Sequence, residues 1–142
     1  MVDARTFCTV AAALWWSSLG VVGFVVVPLL FAHLPSPSLA GFMAAKLFAA
    51  QTWVSTAACV ALLLLSRPRR EAVVAAWAAS ALPWVIAGLL FALLLQYGVA
   101  PRIVARQDLQ LWHSVGSVLY VLQWVCAGLV FWRLLRFGRA ST

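Results

Sequence analysis

The stretch Cys8–Leu34, CTVAAALWWSSLGVVGFVVVPLLFAHL, contains no Asp, Glu, Lys or Arg. A bilayer's hydrocarbon core, about 30 Å thick, needs roughly 20 apolar residues in a helix to cross it. This run meets that length and outlasts the roughly 7 to 15 apolar residues of a secretion signal, so it is expected to stay on the protein as a first membrane span. It ends at Leu34-Pro35-Ser36-Pro37-Ser38, where two prolines remove donors and forbid helix continuation.

Outward from that loop, three more apolar runs follow. The second spans about 41–65, carries Lys46 near its start and stops at the basic turn Ser66-Arg67-Pro68-Arg69-Arg70-Glu71. The third, about 72–97, holds Pro83, which bilayer helices tolerate with a kink when neighbours satisfy the freed carbonyl. The loop from Gly98 to Asp108 opens on Pro101 as a helix breaker and sets Arg102 and Arg106 one turn apart, the spacing of a short interfacial helix. The fourth span, about 109–132, leaves the bilayer through Arg133, Arg136 and Arg139.

Composition agrees with this reading. A chain of 142 residues with 65% hydrophobic and 9% charged residues lies far outside soluble usage. The expected fold is therefore an all-α integral membrane protein, a single domain 1–142 built as a bundle of four transmembrane helices. Its net charge of +7 would suggest nucleic acid for a soluble protein. Here the bases sit at span ends, which makes the lipid bilayer the partner and no nucleic acid. Short cytoplasmic loops are enriched in Lys and Arg. Arg5, Arg67, Arg69, Arg70, Arg133, Arg136 and Arg139 fall on one side, Arg102 and Arg106 on the other, so both termini are expected in the cytoplasm.

Helices in lipid associate through close backbone approach and interhelical hydrogen bonds, because lipid tails are as apolar as leucine. Gly20 and Gly23 in the first span, Ala72, Ala75, Ala76, Ala79 and Ser80 in the third and Gly116 in the fourth are the small-residue faces that predict a compact bundle. The same faces would serve a homo-oligomer or a membrane-protein partner. Cys8, Cys59 and Cys126 lie within or at the edge of apolar spans, with no exposed pair for a disulfide. The matching depths of Cys59 and Cys126 admit a Cu(I) relay, but cysteine is an ordinary small apolar residue in a bundle.

Ionisable and polar groups within spans are costly and mark candidate sites. His33, Lys46 and His113 gather near the outer leaflet on this topology. In the fourth span His113, Gly116, Ser117, Tyr120 and Gln123 share about one third of the helix circumference, and Gln51, Thr52, Ser55, Thr56 and Cys59 form a similar stripe on the second. The candidate polar pocket is thus His33, Lys46, Gln51, His113, Ser117, Tyr120 and Gln123, provided that helices one, two and four are neighbours. The blander reading makes the stripes interhelical hydrogen-bond partners worth about 0.6 kcal/mol each, with Lys46 snorkelling to the surface. His33 and His113 are the metal or haem candidates, though they show no ligand spacing, and the expectation is that no cofactor is bound. Catalytic residues are not found, since three acids are too few for general acid and base at a buried site; an enzyme is disfavoured.

Gly23-Phe24, Pro28, Phe31, Ala40-Gly41 and Phe48, then Pro101 and Trp112-His113, carry a resemblance to a known family. Over most of its length the chain resembles the small bacterial membrane proteins of DUF4149, related to the transmembrane-protein-205-like group. Members usually carry an asparagine well into the last helix, where this chain has Tyr120. The resemblance implies a four-span protein of the bacterial inner (plasma) membrane with no established activity. Three functions are therefore carried forward. The first is binding or movement of a small solute or metal ion through the outward-facing pocket. The others are a non-catalytic structural subunit or partner of a larger membrane complex, and a haem-bound redox protein.

Overall fold

The computed structural model describes residues 4–66 and 72–139 of the chain. Four long helices account for nearly all of them: α1 (Ala4–His33), α2 (Pro37–Leu65), α3 (72–104) and α4 (Leu109–Arg139). All four contain a stretch long and apolar enough to cross a membrane. The basic turn at residues 67–71 lies outside the described residues, as do the side chains of Ala72, Ala75, Ala76 and Arg139.

The helix ends follow from local chemistry. Leu34 takes an extended conformation (ψ 148°) ahead of Pro35, as the steric demand of a following proline requires. Ser36 then caps α2, its hydroxyl accepting from the Leu39 amide at 3.2 Å, with Pro37 in the first turn, where a missing N–H costs nothing. At the other loop Arg106 adopts a left-handed φ of 54°, while the Gln107 amide reaches back to the Arg102 carbonyl and the Arg106 amide to that of Ile103. This paired termination usually employs glycine. Asp108 opens α4 by accepting from the Leu111 amide at 3.2 Å.

Pro101 does not break its helix. The expected loop from Gly98 to Asp108 is helical up to Val104, because the preceding turn, Leu94–Val99, widens into a π turn in which the Ala100 amide bonds to Leu95 five residues back. Widening moves the carbonyls that a proline ring would otherwise strike and accommodates its missing donor. The same device appears in α1, where the π turn Val22–Val26 precedes Pro28 and the Val27 amide bonds to Val22. Arg102 donates to the Gly98 carbonyl and stacks 4.4 Å over Trp112, so it ties the end of α3 to the start of α4. Pro83 lies inside regular α-helix. Near it, Arg133 of α4 donates to the Ser80 carbonyl and sits over Trp84.

Successive helices pack as neighbours, and α4 closes the ring against α1. The result is an up-down-up-down bundle in which α1 faces α3, and α2 faces α4, across the diagonals. Its outer surface is apolar: Phe7, Leu14, Phe42, Trp53, Ile86 and Val104 are all exposed. Helices apolar on every side belong in lipid.

Aromatic rings seated on glycines hold the seams. Trp124 of α4 lies against Gly20 of α1, and Trp16 of α1 lies against Gly128 of α4. This reciprocal pair is joined by stacking of Trp16 on both Trp124 and Phe131, with centroids 5.8 and 5.9 Å apart. Tyr120 covers Gly23, and across one diagonal Trp15 of α1 reaches Gly88 of α3. Gly116 meets Val99 and Leu95 of α3. The small-residue signal at Gly20, Gly23 and Gly116 thus marks close contacts, while Gly88 and Gly128 are contacts that the sequence reading passed over.

Candidate functional site

The midpoints of α1, α2 and α4 fall close to Ser18, Gln51 and Gln123, and these residues meet. Gln51 Nε2 donates to Ser18 Oγ at 2.9 Å and lies 3.5 Å from Ser55 Oγ. Gln123 Nε2 donates to the same Ser55 hydroxyl at 2.9 Å, and Ser18 Oγ donates to the Trp15 carbonyl at 3.0 Å. Ser55 is 0% exposed, Gln123 2% and Gln51 5%. A continuous polar ladder therefore crosses the bundle at mid-depth, where an unsatisfied amide is costliest, and it spans the α2–α4 diagonal.

One turn toward the 34–36 loop, the Tyr120 hydroxyl donates to the Leu19 carbonyl at 2.9 Å, and its ring packs edge-on against Phe48. Toward the termini lie buried Trp15, Cys59 and Cys126. Trp15 Nε1 has no hydrogen-bond partner among the described residues. Cys8, Cys59 and Cys126 form no disulfide among the described residues.

The seven candidate residues divide by environment. Gln51, Tyr120 and Gln123 are buried and bonded across helices. His33, Lys46, His113 and Ser117 are exposed. His33 Nδ1 approaches the Leu29 carbonyl of its own helix (3.1 Å), Lys46 lies over Phe42 one turn earlier, and the Ser117 hydroxyl donates to the His113 carbonyl. Among the described residues no hydrogen bond joins His33, Lys46 or His113 to another helix, and no group of three or more His, Cys, Asp or Glu is placed to hold a metal. The shared level of these residues does not make them share a face.

A second polar place opens sideways between α2 and α3. A cleft of about 180 Å³ is lined by Thr52, Trp53 and Thr56 of α2 and by Leu93, Gln96 and Tyr97 of α3. Trp53 and Tyr97 are 71% and 68% exposed. Thr52 and Thr56 donate to the Phe48 and Thr52 carbonyls at 3.0 and 2.8 Å. Gln96 falls within the π turn before Pro101. The second-span polar stripe is thus split: Gln51, Ser55 and Cys59 face the core, Thr52 and Thr56 the cleft. Gln96 was the missed signal, an amide in an otherwise apolar run, and Ser18 was missed as an unremarked serine in α1.

Replacing Gln123 with leucine tests the ladder. Gln123→Leu keeps the bulk, removes the donor to Ser55 and is expected to lose about 0.6 to 1.7 kcal/mol of bundle stability. Steric trapping in bicelles would measure it, with Ser55→Ala closing a double-mutant cycle; additive losses would show that the two residues are not coupled.

Against known proteins, residues 10–111 match a family described as a domain of unknown function. The matched stretch runs from Val10 within α1 through α2 and α3, with both rows of the lateral cleft, and stops before Tyr120 and Gln123. No curated protein and no solved structure matches the chain.

Proposed function

This chain belongs to that family, DUF4149, and since membership assigns no chemistry, we propose its role from the geometry: a non-catalytic partner subunit of a larger membrane complex. The observation that carries this reading is the ladder. Polar groups lining a route for a solute need donors free to exchange, whereas the Gln51 and Gln123 amide NH2 groups are spent on the Ser18 and Ser55 hydroxyls, and the Ser18 proton on the Trp15 carbonyl, which locks α1, α2 and α4 together. The multi-pass bundle then offers its surroundings a rigid surface. We place it in the bacterial inner membrane with both termini cytoplasmic, on the excess of seven bases over two.

Purification from native membranes into nanodiscs tests the proposal. The expected result is a stoichiometric membrane-protein partner, retained by His33→Ala and His113→Ala variants and accompanied by neither a Soret band nor bound metal. A chain recovered alone with metal or haem, lost on substitution of either histidine, would overturn it and restore the metal or haem reading.

A further inference from the structure

The lateral cleft between α2 and α3 faces lipid, yet it is lined by groups that lipid tails cannot satisfy. Its depth is the first constraint. Gln96 lies eight residues before the end of α3 at Val104, about 12 Å along the axis at 1.5 Å per residue, and Thr52 lies close to the midpoint of α2. The hydroxyl of a lipid held at headgroup level does not descend that far. An occupant must carry its own polar head into the hydrocarbon region and arrive from the bilayer.

The second constraint is hydrogen-bond polarity. Thr52 and Thr56 have committed their hydroxyl protons to backbone carbonyls, leaving only lone pairs to offer. Gln96 makes no side-chain hydrogen bond among the described residues and offers both an acceptor and two donors. A complementary ligand therefore has to donate to the threonines and can both donate to and accept from the amide. Shape is the third constraint. Trp53 and Tyr97 form open aromatic walls, Leu93 an apolar one, and about 180 Å³ admits a single substituted ring.

We propose that this cleft binds a bilayer-resident quinol: a flat ring bearing hydroxyl groups, seated between Trp53 and Tyr97, hydrogen-bonded to Thr52, Thr56 and Gln96, with its apolar tail left in lipid. The oxidised quinone, which lacks donors, binds more weakly at the same place. The site is independent of the subunit role above and stands or falls separately from it.

Native mass spectrometry of the full chain in nanodiscs, titrated with decyl-ubiquinol, decyl-ubiquinone or cholesterol, tests it. The expected result is one saturable quinol per chain, with the Gln96→Leu variant about tenfold weaker, the loss of roughly one good hydrogen bond, and the quinone, which lacks both donors, weaker still. Thr56→Val is expected to weaken the quinol and leave the quinone unchanged. Gln96→Leu makes α3 more apolar, so its insertion is not at risk. Absence of saturable quinol binding, wild-type binding by both variants, or equal competition by cholesterol would overturn the proposal. So would efficient disulfide cross-linking of two copies through Tyr97→Cys, which would assign the cleft to a second copy of the chain.

Discussion

Gly23→Ala is expected to destabilise the bundle by about 1 to 3 kcal/mol, the usual penalty for overpacking a filled site. A Cβ on Gly23 would stand 2.3 Å from the nearest ring atom of Tyr120, with two more ring atoms at 3.1 and 3.2 Å. The ring has nowhere to retreat. Its hydroxyl is fixed to the Leu19 carbonyl, Phe48 lies against it, and the residue is 8% exposed. Gly23 also belongs to the π turn before Pro28, so the backbone is not free to move outward without disturbing that accommodation. Steric trapping of the reconstituted protein reads the loss. Tyr120→Phe should not rescue the alanine variant, because the ring remains; Tyr120→Leu should, at least in part. Equal stability of Gly23→Ala and wild type would remove Tyr120 from this seam.

What the sequence made legible, and what it did not, divides along one physical line. Span number was readable because a bilayer imposes a length on each apolar run, and length is a property of one segment alone. Pro101 was misjudged because a proline's cost depends on whether the turn before it can widen, and Leu94–Val99 supplied that π turn without advertising it. The polar stripes of α2 and α4 were visible as periodicity, and Gln51, Ser55 and Gln123 do meet. Ser18 was not visible, since a single serine in an apolar run has no period.

The grouping of His33, Lys46 and His113 by depth needed a second coordinate. Depth follows from residue count, but the direction a side chain faces around the bundle depends on how every helix is rotated by its neighbours. His113 and Ser117 share a stripe with Tyr120 and Gln123 and are nevertheless exposed, because they lie nearer the 105–108 loop than the packed middle. Thr52 and Thr56 point to the cleft while Gln51 and Ser55, one residue away in each case, point to the core. In lipid both directions are apolar neighbourhoods, so hydropathy cannot choose between them.

The contact between Trp15 and Gly88 has the largest expected effect on the fold, and it can be tested as a pair. Trp15 is 0% exposed and crosses the α1–α3 diagonal, where a Cβ on Gly88 would meet its ring at 2.6 and 2.8 Å. Trp15→Ala should cost about 3 kcal/mol, the low end for tryptophan truncation in soluble cores; lipid is as apolar as the bundle, so only lost packing and the cavity count. The unpartnered Nε1 does not offset much of this, because removing it also empties the space beneath it. Gly88→Ala alone should cost about 1 to 3 kcal/mol through the forced shift of a fully buried ring. In the Trp15→Ala background the same alanine enters an open space, so the double variant should be more stable than the sum of the single losses predicts by at least about 1 kcal/mol. A coupling of that sign, measured by steric trapping, requires the tryptophan to rest on the glycine across the middle of the bundle. Strict additivity would mean that α1 and α3 do not touch there, and the diagonal packing of the core would have to be redrawn.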